Sequence, residues 1–399
     1  PQETLPEAVA VVDPKRKDAS YPFPHLAGVG VAYKLMEALA REYRDVAYCI
    51  EENLDLVAVG TVADIVPLIS ENRVLTTLGL ERLRQTANAG LRALMEVASV
   101  EPVRARASHI GFALGPRLNA AGRLGDASIG VELLTTEDAS RAMSIARKLD
   151  SENKKRRSLE TEVLADATRL IEESVDLSER RSIVLWSSGW HPGVIGIVAS
   201  RIAKQYNRPT ILIAVSDGAG KGSGRSIPGF DLHSALVECR ALLTSFGGHR
   251  HAAGVSLPDS RLPEFRDCVE DAIARKLTAE DIVPVVELDA LVSLSECDFE
   301  LVGHMKRMQP FGAGNPEPVF GTRHVKLIAA KSVGNGHLKL TVAQGERVMD
   351  AIGFGMADSL DELRRGDGMV ALAYVLEENT WRGVTDLQLR LKDVQPEGY

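Results

Sequence analysis

The sequence predicts an α/β fold that ends in a small all-β barrel. Three observations carry that expectation. Short apolar runs alternate with stretches of helical periodicity over most of the chain, the pattern of strands connected by helices. A helical pattern without Gly or Pro runs through 136–175. Beyond about 283 the pattern changes to β-branched and alternating segments separated by Gly and Asn, which reads as strands and tight turns.

In order, residues 1–133 read as the C-terminal part of a parallel-sheet domain. Val9–Val12 and Leu56–Val59 are its strands, and Val29–Leu39, Arg73–Leu83 and Gly90–Ala98 its helices. Residues 134–178 form a connecting helix, roughly 60 Å long at 1.5 Å per residue. Ala142, Ile145, Ala146, Leu149, Leu159, Val163, Leu164, Leu170 and Ile171 mark its apolar stripe. Its basic run Lys154–Arg157 is either a solvated face or a nucleic-acid contact.

Residues 179–280 read as a compact α/β domain. Ile183–Trp186 and Thr210–Val215 are strands, with a helix started by Pro192 at its first position and running through Tyr206 between them. A second helix spans Asp231–Phe246, with Gly247 and Gly248 as its C-cap. Val255–Leu257 is a further strand and Leu262–Leu277 the last helix. Residues 281–399 hold strands at Val285–Leu288, Val319–Ala330, His337–Val342, Val348–Phe354, Met369–Leu376 and Leu387–Leu391. Strands this short and this close together fit an OB-fold, with Pro310–Pro318 as a rigid entrance loop.

Bulk properties exclude several classes. At 399 residues, 45% hydrophobic and 26% charged, this is an ordinary globular composition with room for several cores. A net charge of −8 argues against nucleic-acid binding through bulk positive charge, so local patches must serve. Cys49, Cys239, Cys268 and Cys297 show no C-x-x-C spacing and read as buried or free thiols of a reducing compartment, the cytoplasm. No apolar run reaches the length of a membrane span.

The chemistry concentrates in two segments, Gly222-Ser-Gly-Arg-Ser226 and Gly247-Gly-His-Arg-His-Ala-Ala-Gly254. Glycine permits close backbone approach to a ligand. Ser223, Ser226 and the backbone N–H groups of Gly222, Gly247 and Gly248 can donate to phosphate oxygens, and Arg225 can grip one in bidentate fashion. His249 can donate a hydrogen bond or shuttle a proton. The two segments read as Gly-rich turns forming the lips of a phosphate pocket, or more plainly as tight turns with incidental polar residues. Arg117, Asn119 and Arg123 crowd one Gly/Pro-flanked loop and suit a phosphate backbone or a splayed base. The alternative is pairing with Asp126 or Glu132. His191 precedes a helix N-terminus and either binds phosphate or caps the turn. Asp64 either ligates a hard cation or caps the next helix. In the barrel, Phe311, Phe320, Phe354 and Trp381 are the candidates for base stacking. Three of these four are expected in the core, and Trp381, beside Arg382 in a hairpin turn, is the exposed platform. Lys326, Lys331, Lys339, Arg390 and Lys392 supply a modest positive face.

The pair GSGRS and GGHxxAAG resembles DHHA1, the substrate-binding module of the DHH phosphoesterase superfamily. Val59–Leu68, Gly115–Leu124 and Trp190–Arg201 narrow the resemblance to the RecJ family, exonucleases specific for single-stranded DNA. The resemblance covers nearly the whole chain. It implies 5′→3′ degradation of single strands to mononucleotides, in repair and recombination, with Mn²⁺ or Mg²⁺ at a two-metal centre completed by Asp64. It implies single-strand-binding protein and a helicase as partners. The Asp-rich motifs and the Asp-His-His of the superfamily are absent from these residues. The chain, starting at Pro1, thus reads as the remainder of an enzyme, able to bind single strands and hydrolyse nothing alone. Two further readings stay open: a phosphodiesterase for short oligonucleotides or cyclic dinucleotides, and a non-catalytic nucleic-acid-binding relative.

Overall fold

The computed structural model describes residues 5–43, 50–124, 126–334 and 336–397. The chain divides into two compact units, the first made of 1–86, 101–115 and 285–399, the second of 87–100 and 116–284.

The first unit opens with helices α1 (Gly28–Ala40), α2 (Leu54–Ala63) and α3 (Ser70–Leu83). Leu56–Val59 lies inside α2, and Val9–Val12 has no regular structure. The expected strands are therefore corrected: among the described residues of 1–133 none forms. A short all-apolar run serves a buried helix as well as a buried strand, and α2 buries Leu54, Val57, Ala58, Val59 and Thr61. Asp55, also buried in α2, is satisfied by the Thr86 hydroxyl at 2.5 Å and the Leu56 N–H at 2.7 Å, as a buried carboxylate requires.

The second unit begins with α4 (Ala89–Val97), α5 (Gly115–Leu124, of which Gly115 belongs to the first unit), α6 (Ser128–Thr135) and α7 (Ala139–Ser174). Asp138 starts α7 by accepting from the N–H groups of Ser140 and Arg141 at 2.8 and 3.2 Å. Of the expected stripe of α7, Leu159, Leu164 and Leu170 are half-buried and the other six are buried, as are Asn153, Arg156 and Glu160. The basic run is thus mostly answered internally: Arg156 pairs with Glu160 at 2.8 Å, Lys154 with Asp150 at 2.8 Å and Lys155 with Glu152 at 2.9 Å.

The rest of the unit is a 5-stranded sheet in the order β1-β2-β3-β5-β4. Its strands are β1 (Ile183–Ser187), β2 (Thr210–Ser216), β3 (Ala219–Arg225), β4 (Ser245–His249) and β5 (Ala252–Pro258). Parallel β1 and β2 are joined through α8 (Pro192–Tyr206). One face packs on α7 and α8 through Val163, Ile171, Val194, Val198 and Leu212. The other packs on α9 (Leu232–Glu238) and α10 (Leu262–Ala274) through Ile211, Val255, Leu236 and Phe265.

Two expectations are corrected here. Gly222–Arg225 is the C-terminal half of a strand, and Gly247–His249 lies in another, so neither is a turn. The helix expected over Asp231–Phe246 stops at Glu238, because Ser245–His249 is claimed by pairing with β5. Gly248 is required there: its φ is +142°, and a Cβ would lie 2.3 Å from the Ala252 carbonyl oxygen. A disulfide joins Cys239, at the end of α9, to Cys268 in α10. That overturns the expectation of free thiols for this pair, whose 29-residue separation carries no spacing motif. Cys297 is free and buried, and Cys49 lies outside the described residues.

The barrel completes the first unit. It contains β6 (Ala290–Leu291), α11 (Phe299–Arg307), β7 (Phe320–Val333), β8 (His337–Gln344), β9 (Arg347–Gly353), α12 (Leu360–Arg365), β10 (Met369–Trp381) and β11 (Val384–Pro396). The order β10-β11-β9-β8-β7-β6, with β10 returning to β7, closes the sheet, and β9 and β11 run parallel. This is the partly open Greek-key barrel expected of an OB-fold. Val285–Leu288 lies outside any strand. In the core, the Tyr374 hydroxyl meets Thr322 Oγ1 at 2.8 Å and Cys297 Sγ at 3.1 Å, and burial pushes the phenol's pKa far up. The Pro310–Pro318 segment is a joint to the helices of its unit rather than an entrance. Leu68 N–H donates to Ala313 O at 2.6 Å, and Arg73 Nη2 donates to the carbonyls of Arg307 and Gln309 at 3.1 and 3.2 Å.

Candidate functional site

The register of the sheet in the second unit assembles the candidate residues. Arg225 on β3 lies opposite Ala252 on β5, which lies opposite His249 on β4. The next row on that face is Ser223, Gly254 and Gly247. Directly opposed residues project from the same face, so Ser223 and Arg225 stand on one side and His249 on the other, roughly 10 Å apart across two strand spacings. Between them the floor is glycine and alanine. A Cβ on Gly247 would meet nothing within 4 Å, and one on Gly254 only a carbonyl oxygen at 4.0 Å. The floor is open and shallow, a trough walled by Ser223 and Arg225 on one flank and His249 on the other. Gly222 and Gly224 face the opposite side, where a Cβ would strike Val255 at 2.6 Å and Leu232 at 2.8 Å. Their glycine character serves the core.

The cationic wall is set by α8. A Cβ on Gly196 would lie 2.8 Å from Ser223 Oγ and 3.0 Å from Arg225 Nη2, so the missing side chain lets the guanidinium lie against the helix. Arg225 Nη1 donates to Ser223 Oγ at 2.9 Å and to Gly224 O at 2.8 Å, which fixes the plane of the group. Gly193 plays the same part for α5: a Cβ there would be 2.4 Å from Arg123 O, and Arg123 Nη1 donates to Gly193 O at 3.4 Å. Burial, and then the charge of Arg123, lowers the pKa of Arg225. Arginine remains charged nonetheless. No carboxylate pairs with either arginine among the described residues. Two neighbouring cations, one half-buried and neither neutralised, favour an anion between them.

His191 caps α8: its Nδ1 accepts from the Gly193 N–H at 3.0 Å. In the neutral ring this leaves the proton on Nε2, still able to donate. Ser226 is committed to structure, its hydroxyl donating to Phe230 O at 3.0 Å and its N–H to His251 O at 3.0 Å. Arg117, Asn119 and Arg123 sit on helix α5, not on a loop. Arg117 pairs with Asp150 at 2.9 Å, whereas Glu132 pairs with Arg141 and Asp126 accepts from Ser128. Asn119 is exposed. Gly193, Gly196 and Ala252 were not singled out from the sequence. Glycine inside a helix costs about 1 kcal/mol against alanine, and two within one turn of α8 were the available signal.

In the first unit, Asp64 is exposed and is the C-cap of α2, not an N-cap and not at a strand end. The next residue, Ile65, has φ +58°, a conformation β-branched residues rarely adopt. A hard dication takes about six or more oxygens, and among the described residues no three His, Cys, Asp or Glu side chains gather to hold one. These residues do not make up a metal centre. In the barrel, Phe320 alone of the four aromatics is in the core. Phe354 is 60% exposed and packs edge-on against His337, Phe311 is half-buried, and Trp381 is 70% exposed with the Arg382 guanidinium 5.9 Å from its ring centre. Lys339 pairs with Asp350 and Arg390 with Glu377, each at 2.9 Å, which thins the expected positive face. Among the described residues no helix is long and apolar enough to cross a membrane.

Two families match: the DHHA1 domain over residues 180–275 and the RecJ OB domain over 288–393. The chain is 40% identical over 421 residues to the single-stranded-DNA-specific exonuclease RecJ of Dickeya dadantii, covering 99% of the chain and 72% of that protein. It is 37% identical over 397 residues to the RecJ of Bacillus subtilis, covering 98% of the chain but 49% of that relative, about half its length. The crystal structure of Thermus thermophilus RecJ in complex with Mn²⁺ superposes with a TM-score of 0.83 at 31% identity, over 100% of this chain and 57% of that one. The structure of the same protein with Mg²⁺ gives 0.79. By the extent and identity of these matches, the chain belongs to the RecJ family of single-stranded-DNA-specific exonucleases.

Proposed function

We propose that the trough on β3, β5 and β4 receives the 5′ end of a single DNA strand for an exonuclease that degrades it 5′→3′ to mononucleotides. The observation that carries this reading is the pair Arg225 and Arg123, held by glycine contacts to α8 and answered by no carboxylate among the described residues. A terminal phosphate carries close to two charges at neutral pH and an internal phosphodiester carries one, so two adjacent cations favour the end of a strand over its middle. His191 Nε2–H and the α8 N-terminus add donors for the same anion. His249, across the glycine floor, is placed to hydrogen-bond the adjoining sugar or phosphate. A floor of glycine and one alanine, with no larger side chain, takes any nucleotide, which suits a nuclease indifferent to sequence.

The divalent cation of the reading is Mn²⁺ or Mg²⁺, supported by the RecJ structures named above. Since Asp64 offers one carboxylate, the part of this chain's residues is to bind and orient. A setting in repair and recombination in the cytoplasm, alongside single-strand-binding protein and a helicase, completes the reading.

The test is fluorescence anisotropy with short oligonucleotides bearing a 5′-phosphate or a 5′-hydroxyl. A charge-assisted hydrogen bond contributes about 1.5–3 kcal/mol, so the phosphate should improve affinity by roughly 10-fold to 100-fold. Arg225→Ala should remove that preference. Equal weakening on both kinds of end would reject the assignment.

A further inference from the structure

A second cationic feature lies wholly within the first unit. A groove of about 360 Å³ runs between α3, the start of the short helix Ala107–His109 and the end of α11, lined by Arg84, Arg106, Lys306, Arg307 and Phe311. Two carboxylates also line it, Glu81 and Glu317. Lys306 is answered by Glu378 at 2.6 Å, and Glu317 is taken by Arg390. That leaves Arg84, Arg106 and Arg307, all exposed, none paired with a carboxylate among the described residues. Arg84 Nε is held by Ala105 O at 3.2 Å, and Arg307 Nη2 meets His304 Nδ1 at 2.7 Å.

A bland account would have these arginines offset the negative C-terminal ends of α3 and α11. Each end is worth about half a charge, and the carbonyls beyond α11 are already taken by Arg73. Three open guanidinium groups against Glu81 and one helix end leave a positive excess. This occurs in a chain of net charge −8. Several cations lining one groove together with Phe311 suit an extended polyanion whose units carry a flat ring.

We infer that this groove binds the sugar–phosphate backbone of a single strand at internal positions, with Arg84, Arg106 and Arg307 on successive phosphates and Phe311 against a base. The inference rests on the reading that the chain binds single strands. It does not need the end pocket, because the two features lie in different units.

The test uses the whole chain and a 30-nucleotide oligothymidylate with a 5′-hydroxyl, so that the end pocket contributes no terminal phosphate. The double variant Arg84→Gln/Arg106→Gln removes two contacts. The slope of log affinity against log salt should shallow by about 1.4, which removes roughly sevenfold of the loss between 50 and 200 mM salt. Affinity for a 5′-phosphorylated dinucleotide should stay unchanged. Arg92→Gln, at an exposed arginine of the other unit, serves as the control, and thermal melts confirm that each variant is folded. An unchanged slope in a folded double variant overturns the inference, as does an equal change in the control. Loss of dinucleotide binding with an unchanged slope contradicts it as well, and a chain that binds neither ligand contradicts the reading beneath it. Competition by polyglutamate as effective as by the strand would assign the groove to an acidic protein instead.

Discussion

At the scale of single residues, close contacts decide the site. Gly196 marks the point where α8 leaves room for the Arg225 guanidinium. Gly196→Ala improves helix propensity by about 1 kcal/mol, while the new methyl presses on the Ser223 hydroxyl at 2.8 Å and on the movable end of Arg225 at 3.0 Å. Fold stability should therefore change by less than about 2 kcal/mol, and the preference for a 5′-phosphate should fall several-fold. Melting together with anisotropy checks this; a variant that keeps its phosphate preference would show that the packing does not set the guanidinium. Asp150 is a second informative residue. Burial pushes its carboxyl up, yet Lys154 and Arg117 hold it below the usual carboxylate range. A lowered folded pKa stabilises above the unfolded value and is lost as pH falls through the folded one. The melting difference between the native chain and Asp150→Asn, about 1–3 kcal/mol at neutral pH, should shrink as pH drops below about 4. A difference independent of pH would assign the effect to packing rather than charge.

At the scale of elements, legibility in the sequence followed how local the causes are. Helix α8 was readable because Pro192 and its apolar period act within the helix. The barrel strands other than the expected Val285–Leu288 were readable because alternation is local too. What stayed hidden depends on distant partners. Gly247 and Gly248 look like a helix end until β5 pairs with them, and Leu56–Val59 looks like a strand until its place in a largely buried helix is seen. The motif residues were legible as a set, but their division of labour was not. Ser226 and Gly222 serve the fold, while Arg225, Ser223 and His249 share a face only because β5 separates β3 from β4. Arg117 reads like a phosphate ligand in the sequence and is committed to Asp150, more than thirty residues away, in the fold.

At the scale of the whole molecule, the distribution of charge matters more than its sum. The chain is acidic overall, yet Arg123 and Arg225 in the second unit, and Arg84, Arg106 and Arg307 in the first, have no carboxylate partner among the described residues. In the account proposed here, such an arrangement limits non-specific attraction while offering phosphate two sites. The central claim is that the first of these holds the end of a strand. A crystal structure of the chain with a 5′-phosphorylated dinucleotide tests it most directly. The account predicts the terminal phosphate about 3 Å from the guanidinium groups of Arg225 and Arg123, above Ala252, with His249 toward the second nucleotide. A dinucleotide bound with its terminal phosphate away from both arginines would contradict it.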